Sequence, residues 1–378
     1  MKTKIFFVAL VFCVCRCSPN GDGLVSEVIV NGNKMYVVSL NDLKADTVTI
    51  YLSSVVENLE LVHLETKEEA YFKPWYTTVT EKYIGVRQPD GSPYMLFDRS
   101  GKFLCTVGSR GRGPGEYILS SYDDIIDDKN ELIYLAPIMG DKILVYNTSG
   151  KFLKDIVAPH RLIKAKIFLS DNVLTVVHMP FQDHKVAFQF DVNTGEVLKE
   201  LSAPTHLIVQ NFDGEIFNTK NVSGIFDFLC TASDTLYHFD TKNDKMLPFF
   251  LMTYNSSGKP PYKQHHHLNK DIIITFVYGK GLVATDLKNK MSSWFVSKND
   301  FCGNIRTSLG IRNVRNGYFV HNLQPEELME MIENRLAERS CTEQDRQILN
   351  QTLSTLKENA NNVVFIGKLK KEVKSKLW

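Results

Sequence analysis

Apolar and polar positions alternate with a period of two through Thr47 to Leu52 and Leu59 to Leu64, and strand signals then continue to about Asn322. Tyr83 to Arg87, Leu132 to Leu135, Ala165 to Leu169, Val173 to Val177, Ile272 to Tyr278 and Gly317 to His321 are rich in β-branched and aromatic residues. Such side chains fit a pleated, buried surface, so these segments predict strands. No long amphipathic helix interrupts them, which excludes a βαβ or Rossmann arrangement.

The strands come in a recurring phrase. Tyr94-Met-Leu-Phe-Asp-Arg-Ser-Gly-Lys-Phe-Leu-Cys105 is nearly repeated in Lys142-Ile-Leu-Val-Tyr-Asn-Thr-Ser-Gly-Lys-Phe-Leu-Lys154. Weaker copies run from Phe190-Asp191 to Gly195-Glu196, from Phe239-Asp240 to Asp244-Lys245, and from Asp286 to Asn289-Lys290. Each is an apolar strand, an Asp or Asn that can hold backbone N–H groups two residues on, a polar turn, and a second strand. Gly101 and Gly150 supply the positive φ such a turn requires. The anchors 98, 147, 191, 240 and 286 are spaced by 49, 44, 49 and 46 residues, one hairpin per period. A period in this range is the mark of a radial or stacked β architecture.

At Pro325 the period changes. Pro325-Glu326-Glu327 places proline in a first helical turn and carboxylates at the positive end of the dipole. Leu328, Met331, Ile332 and Leu336 then share one helical face, and Thr342-Glu-Gln-Asp345 caps a second helix carrying Ile348, Leu349, Leu353 and Leu356. The chain returns to an apolar strand at Val363 to Leu369, so residues 325–358 are a helical hairpin inserted before a final strand that completes a sheet. Without the insert, residues 59–369 provide about 46 residues for each of six units, enough for four short strands apiece. The expectation is an all-β, six-bladed β-propeller of four-stranded antiparallel blades over residues 46–370, with a linker or first strand at 18–45 and a basic tail at 371–378.

The start of the chain is a separate message. Lys2 and Lys4 precede the apolar run Ile5 to Val14, which is too short to span a bilayer as a helix, so residues 1–17 predict a cleaved export signal. Cys17, followed by small and polar residues, is the candidate for lipid attachment, which would anchor the mature protein to a membrane of the cell envelope. Arg16 departs from the small residue usual before such a cysteine. The chain has 44 Lys and Arg against 43 Asp and Glu, and loss of the signal leaves it near neutrality. That balance argues against nucleic acid or acidic lipid as the main partner. Cys105, Cys230, Cys302 and Cys341 are widely separated and lack metal-ligand spacing; they are free to pair in an oxidising compartment or to stay single.

After the first repeated hairpin comes Val107-Gly-Ser-Arg-Gly-Arg-Gly-Pro-Gly-Glu-Tyr117. Its glycine spacing is not that of a phosphate-binding loop, and more strand follows where that motif needs a helix. The phrase Gly111 to Tyr117, with the Asp98-Arg-Ser-Gly-Lys-Phe hairpin before it, resembles the six-bladed β-propeller lipoproteins of Bacteroides-type bacteria. Leu59 to Thr66 is similar to that family's opening strand and Val363 to Lys370 to its closing one. The resemblance covers roughly residues 40–370. It implies a propeller related to NHL and TolB-like domains, exported and often lipid-anchored, and implies little about chemistry.

Three candidate sites stand out. Arg110, Arg112 and Glu116 would form a ligand-binding edge if the flanking glycines let backbone N–H groups approach an anion; the simpler expectation is an inter-blade crossing, with the arginines paired to nearby carboxylates. His265-His266-His267 follows Pro260-Pro-Tyr262, and on an extended segment the outer pair, His265 and His267, faces one side. No third ligand is evident in the nearby sequence, so no metal or other cofactor is expected and a solvated loop is. Asp98, Asp191, Asp240 and Asp286 lack the further oxygens of a calcium loop and are turn formers.

No Gly-x-Ser-x-Gly, His-Glu-x-x-His or Ser-x-x-Lys signature is present in recognisable context. The function expected is therefore a binding or scaffold module for a protein, peptide or glycan, with Met331 and Leu336 offered as a partner surface if they face away from the blades. The alternative is a propeller lyase or hydrolase, which requires His and carboxylate groups from three or more blades to converge at a channel mouth.

Overall fold

The computed structural model describes residues 24–180, 185–208, 216–222, 226–230, 235–240, 245–255 and 260–372. The expected export signal with Cys17, residues 241–244 of the expected fourth hairpin and the end of the expected basic tail lie outside them.

Six four-stranded antiparallel sheets follow one another as the blades of a propeller. Blade one comprises Tyr76–Val79, Tyr83–Arg87, Tyr94–Asp98 and Phe103–Val107. Blade two comprises Ser121–Asp127, Leu132–Pro137, Met139–Asn147 and Phe152–Ile163. Blade three comprises Lys166–Ser170, Val173–Val177, Lys185–Asp191 and Val197–Ser202. In blade four, Ile216–Phe217, Phe226–Cys230, Thr235–Asp240 and Lys245–Thr253 are extended outward by Asn33–Ser39 and Val25–Val30. In blade five, Lys263–His267, Ile272–Val277, Gly281–Asp286 and Met291–Asn299 are flanked by Thr47–Tyr51, parallel to the last of them.

Blade six closes the ring. Val314–Arg315, Tyr318–Leu323 and Val363–Lys368 come from the end of the chain, and Glu60–His63 from its beginning pairs antiparallel with Val363–Lys368 as the outermost strand. Closure by strands from both ends leaves no blade edge open between first and last repeats.

The repeated turns form as their residues dictate. Asp98 Oδ1 accepts from the N–H of Ser100 at 2.9 Å and of Lys102 at 3.0 Å, Asn147 Oδ1 from Ser149 at 3.2 Å and Lys151 at 2.9 Å, and Asp191 Oδ1 from Asn193 at 2.8 Å. Gly101 and Gly150 sit at φ of 93° and 81°. They also serve packing between blades: a Cβ on Gly101 would lie 2.3 Å from the His63 carbonyl oxygen of blade six, and one on Gly150 2.6 Å from that of Thr106 in blade one. The same glycine thus turns the chain and lets each hairpin reach the outer strand of the preceding blade.

The helical insert consists of Pro325–Ala337 and Glu343–Thr355, between the second and third strands of blade six. Thr342 and Asp345 form the expected reciprocal cap, with the Asp345 N–H donating to Thr342 Oγ1 at 3.1 Å and the Thr342 N–H to Asp345 Oδ2 at 3.3 Å. Leu328, Ile332 and Leu349 are fully buried in a cluster with Ile50, Phe295, Phe319 and Val363 of blades five and six. Met331 and Leu336 pack against this cluster too. They are drawn in because the amphipathic face has apolar blade surface to cover, so the condition for a partner surface at these residues is not met.

Candidate functional site

Each inner strand starts where the crossing from the preceding blade arrives and ends where it turns back into its own blade. On that second face the strand ends of all six blades surround a bowl of about 840 Å³, with Thr80, Asp128, Ser170, Asn221, Asn269 and Asn316 among its walls. Volumes of this size suit a small ligand or one segment of a larger one.

Below the bowl the axis is crossed by charge. Asp123 of blade two is fully buried, and it meets Arg315 of blade six in an ion pair and Lys220 Nζ of blade four at 3.0 Å. These blades alternate around the ring, so their side chains can meet only at its centre. Asp124 Oδ1 lies 2.7 Å from Arg87 Nε and 3.5 Å from Arg315, while its Oδ2 accepts from the Tyr94 hydroxyl at 3.0 Å. Lys166 donates to the Tyr122 carbonyl at 3.2 Å and stands 4.0 Å over the Tyr122 ring.

Four cations, Arg87, Lys166, Lys220 and Arg315, therefore share two carboxylates in a buried volume. Burial alone would push the Asp123 carboxyl up, but Arg315, Lys220, Lys166 and Arg87 outweigh it and hold the group far below the usual carboxylate range. The lysines go the other way. Burial brings Lys220 down to about 8 despite the attraction of Asp123, with Arg315 adding to the depression. Lys166 is likewise lowered well below the ordinary lysine value, by burial first and then by the neighbouring cations against Asp123. Burial first, and crowding by like charge after it, set these opposed directions.

Lys220 is the member of this group that lines the bowl. Its backbone lies at φ 57°, a left-handed conformation that side-chain-bearing residues rarely adopt. Asn218 Oδ1 holds it there by accepting the Lys220 N–H at 3.0 Å. The turn after the inner strand of blade six locks onto this one across the axis: the Asn316 N–H donates to the Thr219 carbonyl at 2.8 Å and the Gly317 N–H to Asn221 Oδ1 at 3.1 Å.

The residues singled out in the sequence fall elsewhere. The glycine phrase is the crossing between blades one and two, on the face opposite the bowl. Glu116 Oε2 accepts the Gly113 N–H at 2.7 Å and so shapes the loop, and a Cβ on Gly111 would sit 2.0 Å from that oxygen. Arg110 and Arg112 are exposed. They make no ion pair among the described residues, contrary to the expected pairing with carboxylates.

His265, His266 and His267 are not on a solvated loop. They form the inner strand of blade five, each no more than 2% exposed, because the strand period continues through them. His265 Nδ1 bonds Thr275 Oγ1 at 2.9 Å, and His266 Nε2 donates to the Leu309 carbonyl at 3.0 Å. His267 turns toward blade four. Its Nε2 is 3.1 Å from Nε2 of His238 and 3.6 Å from Oδ1 of Asp227, while His238 Nε2 is 3.0 Å from the same oxygen. Asp227 and His238 are directly paired across two strands of blade four. Burial lowers the His267 imidazole, against the pull of Asp227. The sequence exposes the histidine triplet but not its partners, which stand one blade earlier. His and carboxylate groups thus converge between two neighbouring blades, while the axis gathers arginine, lysine and aspartate.

Cys105, Cys302 and Cys341 are free thiols. Among the described residues no helix is long and apolar enough to cross a membrane.

The family described as Domain of unknown function (DUF4934) matches residues 35–368. Among solved structures, the chain is similar to a Bacteroides fragilis protein thought to be exported, at 17% identity and a TM-score of 0.58, covering 89% of this chain and 100% of that one. It is also similar to a member of the DUF4221 family from Bacteroides vulgatus, at 12% identity and a TM-score of 0.44, covering 83% of this chain and 99% of the other. At 17% identity the first likeness speaks for the fold alone. No curated protein matches the chain.

Proposed function

This chain belongs to the DUF4934 family, and we propose that it is an exported, non-enzymatic binding propeller whose bowl takes an anionic segment of a peptide or glycan. The observation that carries this reading is Lys220, set in a left-handed turn at the bowl floor and belonging to a cluster in which four cations share two carboxylates. Uncompensated buried charge is costly, and a ligand carboxylate or sulfate at Lys220 relieves that cost while the asparagines above it bond the polar remainder. The groups on the axis are already engaged with one another, which favours binding over turnover.

Export and anchoring belong to the same proposal. The charged start, the short apolar run and Cys17 support delivery to the cell envelope with an acylated N-terminal cysteine, as in the NHL- and TolB-like lipoproteins that the sequence resembles. Incorporation of a labelled fatty acid that is lost in Cys17→Ala tests the anchor.

The ligand reading is tested by thermal shift. Uronate-containing oligosaccharides and acidic peptides should raise the melting temperature, less so at high salt, whereas neutral counterparts should not. Ser170→Trp, at an exposed position on the bowl wall, should abolish the shift without touching the core. Equal shifts from neutral ligands, or a shift that survives Ser170→Trp, would overturn the proposal.

A further inference from the structure

At the contact between blades four and five, three ligand-type atoms converge: Nε2 of His238, Nε2 of His267 and Oδ1 of Asp227. Their separations are 3.0, 3.1 and 3.6 Å. Bonds of about 2.0–2.1 Å to one ion place neighbouring donors about 2.9 Å apart at octahedral angles and about 3.4 Å apart at tetrahedral ones. Two of the observed separations, 3.0 and 3.1 Å, fall in that interval and the third, 3.6 Å, lies just beyond it, so an ion would fit with little movement.

The protonation pattern points the same way. His267 Nδ1 donates to the Asn269 carbonyl at 2.8 Å, which fixes the tautomer and leaves Nε2 with a lone pair aimed at the other two atoms. Asp227 is 3% exposed, yet its Oδ1 has no hydrogen-bond partner: the His238 nitrogen is close enough, but no N–H is directed at the oxygen. One proton on His238 can bridge a single pair at most, so at least one pair of lone pairs stays opposed at contact distance. A cation at the centre removes that repulsion and satisfies the buried carboxylate oxygen.

We propose that Asp227, His238 and His267 bind one divalent first-row transition ion of the zinc or cobalt type. Two imidazoles and a carboxylate suit such an ion better than calcium or magnesium, which prefer oxygen alone. Three protein ligands leave a coordination position free, and His238, 18% exposed, marks the side on which water or a ligand group enters. Two donors on blade four and one on blade five make the ion a staple between blades. The inference is independent of the bowl, although His267 touches the bowl wall: the Asn221 side-chain amide donates to its carbonyl at 2.7 Å.

The test is titration of the full chain, purified without a polyhistidine tag, with Zn²⁺ by calorimetry and with Co²⁺ by visible absorption. One ion per chain is expected, weakened at least about tenfold in His238→Gln and in Asp227→Asn and unchanged in His63→Gln, an exposed control. Equal affinity in His238→Gln and the parent chain, or no Co²⁺ spectrum at all, overturns the proposal. Should Asp227→Asn fail to fold, X-ray absorption on the zinc-loaded parent chain decides: nitrogen and oxygen scattering with two imidazoles supports the site, and sulfur scattering, which would place the ion on cysteines, refutes it.

Discussion

Lys220 Nζ stands 3.0 Å from Asp123 Oδ2 although the two residues belong to blades four and two, with blade three between them. This pair, joined by Arg315 from blade six, ties three alternate blades at the axis where the sheets themselves exchange no ladder hydrogen bonds. Asp123→Asn should therefore destabilise the fold by roughly 3–5 kcal/mol, because it leaves two buried cations without their carboxylate. Adding Lys220→Met should return part of that loss, since one orphaned charge is then gone. Urea unfolding of the two single variants and the double variant measures both effects; strict additivity would contradict the coupling.

The same lysine sets a pH dependence. Its value falls from 10.5 in the unfolded chain to about 8 in the folded one, chiefly through burial. Below pH 8 both states hold the proton and the native state bears the full cost of a buried charge. Between pH 8 and about 10.5 the native state releases it first, so stability contributed by this site rises with pH, at up to about 1.4 kcal/mol per pH unit. Titrating groups remote from the axial cluster cancel when the parent chain is compared with Lys220→Met, and Lys166, which Lys220 depresses, moves back up in the variant. The stability of the parent relative to that variant should climb from pH 8 to pH 10, and a flat difference would mean that the ammonium is not penalised.

Two fully buried leucine and isoleucine positions govern the helical insert. Ile332→Ala and Leu349→Ala should each cost about 2–5 kcal/mol, as large-to-small changes in a packed cluster do, whereas Glu330→Ala on the exposed face should stay within about 0.5 kcal/mol. Removal of residues 325–358 should consequently yield an unfolded or aggregating chain, since it strips the cover from Phe319 and Val363. A soluble deletion variant with the parent's melting temperature would show that the helices are a detachable decoration.

What the sequence discloses follows the range of each interaction. Asp98, Asn147 and Asp191 announce their turns because their partners lie within four residues, and the strand at Val363 announces closure because an apolar run after two capped helices has a sheet to finish. Asp123, Lys220 and Arg315 have no such local signature. Each reads as an ordinary charged residue, and only the folded ring brings them together. The nearest hint is the pair of adjacent carboxylates in Tyr122-Asp-Asp-Ile125, between apolar residues of one inner strand, where an unpaired charge cannot be buried. His267 lay within a conspicuous triplet, but strand alternation cannot reveal that its ring points at Asp227 and His238 of another blade. The glycine phrase was conspicuous for a different reason. Its residues are constrained by the tight blade crossing.

That constraint is measurable. Gly115 lies at φ 71°, and a Cβ there would meet Phe152 Cγ at 2.7 Å, while its carbonyl accepts the buried Tyr146 hydroxyl at 2.6 Å. Gly115→Ala should therefore lower stability by several kcal/mol, combining left-handed strain with displacement of a ring in the core between blades one and two. Arg110→Ala with Arg112→Ala removes two exposed side chains that make no ion pair among the described residues, and should shift stability by no more than about 0.5 kcal/mol. Denaturant titration of both variants separates the roles. If the arginine pair proves as costly as the glycine, the loop is held by its charges; if only the glycine matters, the phrase is there to let the chain pass from one blade to the next.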